Sequence, residues 1–169
     1  MNSKKEGSLR IDPQNGSLII NQQYIIQPYQ PAQEFLDSEL YRRYAFGKTA
    51  LHDLLLQSGN GHILIKVPEI KGYDWIFILD FKNRQLRSMV MNVVRESLRE
   101  FAAMKGNDFH LYQRILENSC GEYQGFKNQG PASSCKFPWG LVKIGSYPEG
   151  LVIKLIVRYK FLGQLCANG

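Results

Sequence analysis

The chain has 169 residues, a mass of 19.4 kDa, 44% hydrophobic and 21% charged residues, the size and composition of one globular domain. A chain of this length buries roughly 70% of its unfolded surface and needs no disulfide or metal to hold it; a disordered tail, a collagen-like fibre and a disulfide-rich mini-protein are excluded. Its 21 Lys and Arg outnumber 15 Asp and Glu, a net charge of +6, and that surplus is the one compositional lead to a partner.

At the N-terminal end, SLRI and SLIIN flank DPQNG, which predicts a hairpin, because Asn15 and Gly16 tolerate the positive φ of a tight turn. QYIIQP extends the β structure as far as Pro28. Pro31 then suits the first turn of a helix over 31–46, with Phe35, Leu36, Leu40 and Tyr44 on one face. Glu34, Arg42 and Arg43 form its solvated side, and Gly47 ends it.

The middle of the chain reads as an antiparallel meander. ALHDLLLQ and HILIKV flank SGNG, and WIFILDF and LRSMVMNV flank KNRQ. Tyr73, Trp75, Phe77, Leu79 and Phe81 alternate on one face, while Ile76 and Ile78 are apolar on the other. A strand apolar on both sides belongs inside a sheet, here with a helix covering one side.

From Arg95 the period becomes helical. RESLREFAAM puts Leu98, Phe101 and Ala102 on one face and Arg95 and Arg99 on another. Gly106 is expected to break that helix, and Asn107 or Asp108 to cap a second one with Leu111 and Ile115 inward. Residues 119–136 are rich in Gly and Ser without a period and are expected to form a flexible loop. FPWGLVKIGSYPEGLVIKLIVRYKF closes the chain as two strands around a Tyr147–Gly150 turn. On the second of them Leu151, Ile153, Leu155, Val157, Tyr159 and Phe161 share one side, and Lys154, Arg158 and Lys160 share the other, interrupted by Ile156. The expectation is an α+β fold: a single domain over 1–169, mainly an antiparallel sheet, with an N-terminal helix and two middle helices packed on it.

MNSKKEGSLRID has no apolar core of signal-peptide length, and no run approaches the ~20 apolar residues of a membrane span. The expected compartment is therefore the cytoplasm, without membrane contact. Cys120, Cys135 and Cys166 form no C-x-x-C pair and read as reduced structural thiols, with a Cys120–Cys135 bridge as the alternative.

Phosphate-loop, dinucleotide, zinc-protease and nucleophile-elbow motifs are all absent from the sequence. His52 and His62 would face each other if SGNG were a hairpin turn, a pairing suited to a metal or to acid–base chemistry. No Asp, Glu or Cys spacing completes a ligand set around them, so the expectation is ordinary strand histidines, no catalytic residue, no metal and no cofactor. His110 reads as a surface residue in the first turn of a helix.

The basic surplus is not spread evenly: residues 120–169 hold six Lys and Arg against two Asp and Glu. Lys143, Lys154, Arg158 and Lys160 share the side of the final hairpin turned from the core, and Lys82, Arg84 and Arg87 cluster after Phe81. These seven are the candidate partner-binding residues. Such a face docks an acidic protein, or takes phosphates with Trp139 and Tyr147 stacking on bases, or is simply a solvated basic surface.

A set of short motifs runs through the chain: Gly16, Leu18 and Ile20; Phe35, Leu36 and Ser38; Phe81 with Leu86; and Trp139, Gly140, Tyr147, Gly150 and Tyr159. In this order they resemble small bacterial immunity proteins encoded beside polymorphic or contact-dependent toxins. The resemblance implies a non-catalytic cytoplasmic protein that binds and neutralises a cognate toxin domain, and the net charge of +6 implies an acidic contact surface on that toxin. The alternatives are a nucleic-acid-binding module using the basic face of the last hairpin, and a small hydrolase or nuclease using His52 and His62.

Overall fold

In a computed structural model of the chain, residues 6–47, 50–120, 126–129, 132–146 and 152–160 are described. The expected N-terminal hairpin forms between β1 (Leu9–Ile11) and β2 (Leu18–Ile20), and β3 (Tyr24–Ile26) completes a three-stranded antiparallel sheet. The turn is held from within. Asp12 exchanges backbone bonds with Gly16 and Ser17 at 2.8 Å, and its carboxylate accepts from the Gln14 N–H at 2.9 Å. Gly16 has φ +81, the positive φ that the turn demands. Leu9, Ile11, Leu18, Ile20, Tyr24 and Ile26 are buried, and the residues between them face outward.

The single helix expected over 31–46 is two short ones, α1 (Ala32–Leu36) and α2 (Glu39–Tyr44). Ser38 divides them. It is extended (φ −72, ψ 152), and its hydroxyl accepts the Tyr41 N–H and donates to the Phe35 carbonyl, so it caps the second helix. Phe35 and Leu40 still point inward, and Phe35 lies 6.2 Å from Phe81, ring to ring.

ALHDLLLQ is a helix, not the strand expected from the SGNG turn: α3 covers Ala50–Ser58. Leu55 is buried, and the Gly59 N–H donates back to the Leu55 carbonyl at 2.7 Å with φ +78. That is a left-handed helix exit on glycine, and SGNG ends a helix instead of turning a hairpin.

The remaining strands form one antiparallel seven-stranded sheet. β4 (Gly61–Ile70), β5 (Tyr73–Lys82) and β6 (Gln85–Val93) make one meander. β7 (Phe126–Gln129), β8 (Ala132–Phe137), β9 (Gly140–Ser146) and β10 (Ile153–Tyr159) make a second. β10 lies against β6, giving the order β4-β5-β6-β10-β9-β8-β7. β7 and all of β8 but Phe137 fall inside 119–136, where composition reads as loop; short polar strands carry little hydrophobic alternation. The Tyr147–Gly150 turn, Leu151 and Phe161 lie outside the described residues.

One face of this sheet is the core. Ile63 and Ile65 of β4, Trp75, Phe77, Leu79 and Phe81 of β5, Met89 and Met91 of β6, and Leu155 and Val157 of β10 have no exposed area. Two helices link the meanders, α4 (Leu98–Ala103) and α5 (Lys105–Cys120). Leu111 and Ile115 of α5 are buried as expected, and Tyr112 lies 5.4 Å from Trp75 and accepts the Val93 N–H at 2.8 Å. The expected break at Gly106 does not occur, for Gly106 lies inside α5. Asp108 caps nothing; it is buried against Arg95. The face shared by Leu98, Phe101 and Ala102 is largely open, with Leu98 63% exposed. Among the described residues no helix is long and apolar enough to cross a membrane.

Candidate interaction surface

Strand alternation sends every second residue of the large sheet to the face turned from the core, and the register sets these residues in rows across the strands. Leu64 pairs with Ile78, Ile78 with Val90, Val90 with Ile156, and Ile156 with Lys143. On one side of this row run His62, Asp80, Ser88, Arg158 and Leu141. On the other, Lys66 pairs with Ile76, Ile76 with Asn92, and Lys154 with Gly145. Apart from Asn92 and Ile156, which are buried, all of these side chains are half-exposed or exposed. The two-sided apolar pattern of WIFILDF thus has one dry face and one wet one.

The face is concave. A depression of ≈ 380 Å³ is lined by His62, Asp80, Lys143, Lys154, Arg158 and the aliphatic residues between them. Asp80, the one acid lining it among the described residues, is engaged: its Oδ1 is 3.1 Å from His62 Nε2, and Oδ2 accepts from the Ser88 hydroxyl at 3.5 Å. The His62–Asp80 pair is solvent-washed, with His62 60% exposed, and is worth under about 1 kcal/mol. Partial burial pushes the Lys154 ammonium below its ordinary pKa, since desolvation disfavours the charged form.

Of the seven candidate residues, Lys143, Lys154 and Arg158 line this depression together. Lys160 follows β10 and is exposed; its backbone N–H donates to Trp139 at 2.9 Å and its carbonyl accepts the Tyr29 hydroxyl. Lys82 is exposed at the end of β5. Arg84 is exposed in the β5–β6 turn, where its backbone bonds Gly59 and Ala32. Arg87 is the extra residue of a bulge, between the pairs Asp80–Ser88 and Phe81–Leu86, and its guanidinium lies over the Tyr29 ring at 5.5 Å. A bulge shifts the alternation by one residue, so simple counting along the strand gives no guide to its direction.

The histidines do not meet across a hairpin, because α3 replaces the strand on which that pairing depended. His52 is half-buried on α3 with Nδ1 2.6 Å from the Tyr41 hydroxyl, while His62 sits on β4 beside Asp80. His110 is exposed on α5 as expected, though not at its start. Among the described residues no group of three His, Cys, Asp or Glu is placed to hold a metal. Trp139 is not presented for base stacking: it stacks on Phe137 at 4.6 Å, donates its indole N–H to Pro13 and packs on Gly16. Cys135 is buried on β8; the side chain of Cys120 lies outside the described residues.

Sequence reasoning missed the apolar row Leu64, Ile78, Val90 and Ile156. Its signal is present in the aliphatic residues on the second face of WIFILDF and its neighbours, of which Leu64, Ile78 and Val90 are only half-buried and Ile156 is buried.

No protein-family model matches this sequence, and no curated protein matches it. The chain is similar to a chain of the solved structure described as "Rhs1-CT in complex with cognate immunity protein RhsI1", at 12% identity and a TM-score of 0.48, over 95% of this chain and 94% of that one.

Proposed function

We propose that this chain is a non-catalytic immunity protein that binds a cognate toxin domain in the cytoplasm and neutralises it. The observation that carries the reading is the open sheet face: a concave surface of half-exposed aliphatic residues and cations on a seven-stranded sheet. Exposed apolar patches rimmed by polar residues are costly to leave in water and mark sites where another macromolecule sits. Among the described residues of the face, Asp80 is bonded to both His62 and Ser88 and no serine is bonded to a histidine, which suits occlusion better than catalysis. Its basic side, Lys143, Lys154 and Arg158, matches an acidic patch on the toxin; Lys82, Arg84, Arg87 and Lys160 are candidate contacts outside the depression.

The test is to sequence the adjoining reading frame and, where it encodes a large secreted protein, to co-express the C-terminal domain of that protein with this chain. Cells producing that domain alone stop growing, cells producing both proteins grow, and the two purify together as one complex. Continued growth arrest in the presence of the chain, with no complex on a sizing column, would overturn the reading. A nucleic-acid module would instead bind DNA or RNA with steeply salt-dependent affinity and no need of the toxin.

A further inference from the structure

The open face is not uniform. At the β4 edge, Leu54 of α3 is 59% exposed and lines a second depression with His62, Leu64 and Ile78. This continues the apolar row outward from the sheet onto a helix. At the other end, Lys143, Lys154 and Arg158 surround Ile156 in the register of β9 and β10. Opposite Lys154 stands Gly145, which leaves a notch between the lysines: a Cβ there would rest on Ile156 Cδ1 at 3.4 Å. Asp80, the acid of the face, lies at the apolar end, paired with His62. The two ends are four strand spacings apart, roughly 19 Å at ~4.8 Å each.

We infer that this face is a two-part receptor for an acidic, amphipathic element of a protein partner. An aliphatic or aromatic side chain seats among Leu54, Leu64 and Ile78, and a carboxylate seats in the notch among Lys143, Lys154 and Arg158. The inference rests on the toxin-binding reading above and names the chemistry of the toxin surface. Charge complementarity selects this occupant. A nucleic acid leaves the apolar end without a partner. A second copy in a two-fold pair sets the cationic end either against itself or against the apolar end, and neither is complementary.

The experiment measures affinity for the purified neighbouring toxin domain as a function of salt, with wild-type protein and three exposed-site variants. Leu54→Asp is expected to weaken binding about tenfold or more with the salt dependence kept, as loss of an apolar anchor does. Arg158→Glu is expected to weaken it by about as much and to flatten the salt dependence, as loss of an ion-pairing site does. Leu98→Asp, on α4, is expected to change nothing. Melting temperatures identify any variant that fails to fold; for such a variant Leu54→Ser or Arg158→Gln replaces it. Tight wild-type binding that both face variants retain, or that Leu98→Asp loses equally, overturns this inference and leaves the immunity reading standing. No binding by the wild type overturns the immunity reading itself. A dimer abolished by Leu54→Asp, or nucleic acid held by the face, also overturns the inference.

Discussion

The Tyr159 hydroxyl donates a hydrogen bond of 2.8 Å to the carbonyl of Gly16, across 143 residues of sequence. The bond joins the last strand of the large sheet to the turn of the first hairpin. Trp139 reinforces it, donating its indole N–H to Pro13 at 2.9 Å, stacking on Phe137 and lying 5.8 Å from the Tyr159 ring. Gly140 belongs to the same clasp, because a side chain there would run into the Arg158 carbonyl of the paired strand. Among the described residues, the motif positions Gly16, Trp139, Gly140 and Tyr159 are thus structural partners of one another, away from the open face.

Gly16→Ala tests the clasp directly. Its φ of +81 disfavours any Cβ, and that Cβ would lie 2.6 Å from Trp139 Cε3. Strain and overpacking together are expected to cost about 2–4 kcal/mol. Urea denaturation should show a lower midpoint with an unchanged slope. Tyr159→Phe, which removes only the hydroxyl, is expected to cost about 1 kcal/mol. A midpoint unmoved by either change would mean that the turn and the last hairpin are not coupled.

Two buried tyrosines set the behaviour in alkali. Burial pushes the Tyr159 and Tyr112 hydroxyls well above their ordinary pKa of 10.0. Below pH 10 both are protonated in either state, and their contribution to stability is complete. Above it the unfolded chain ionises them while the folded chain cannot, so stability falls as pH rises. The expected result is a loss of stability above pH 10 that becomes shallower in Tyr159→Phe and again in the double variant with Tyr112→Phe. Equal slopes for wild type and double variant would sink this account.

The link between β6 and α5 depends on a buried ion pair. Arg95 and Asp108 are joined by two hydrogen bonds, and their side chains are 8% and 5% exposed; Arg95 also reaches Glu100 and lies over the Tyr73 ring. The guanidinium pKa is raised, first by the bond to Asp108. Removing one partner leaves the other charge buried, so Asp108→Ala is expected to cost about 3–5 kcal/mol. Replacing both by apolar residues of similar volume should recover most of that loss in thermal unfolding. A double variant no more stable than the single would show that the pair matters for something other than compensating buried charge.

What the sequence made legible follows from where its signals are strong. The hairpin around Asn15–Gly16, the alternation of Trp75 to Phe81 and the inward face of Leu111 and Ile115 are long or glycine-marked patterns, and each forms as expected. The failures are short apolar runs and turns with two meanings. ALHDLLLQ fits a buried strand or a helix by composition, and SGNG ends a helix as readily as it turns a hairpin. Alternation along β9 and β10 puts Lys143, Lys154 and Arg158 on one side, and the three line one depression there, without Lys160. Arg87 sits in a bulge over Tyr29, where alternation gives no guide to its direction. Alternation also gave no hint that Leu54, on a helix, extends the apolar row.

Lys154 offers a last prediction that separates binding from folding. Burial lowers its pKa from 10.5, so the folded state disfavours the charge that the unfolded state carries freely. At neutral pH this opposes folding, and Lys154→Met is expected to raise the melting temperature. The sign follows from proton binding: between the lowered folded pKa and 10.5 the unfolded chain holds the extra proton, so stability gained from this group grows as pH rises through that window. The advantage of Lys154→Met should therefore shrink toward alkaline pH and be lost above 10.5. The same substitution should weaken binding of the toxin domain, since it removes a cation from the notch. A variant that is less stable at pH 7, or equally stabilised at pH 7 and above 10.5, would show that the ammonium is not desolvated. A stabilised variant with undiminished toxin affinity would show that the notch takes no carboxylate.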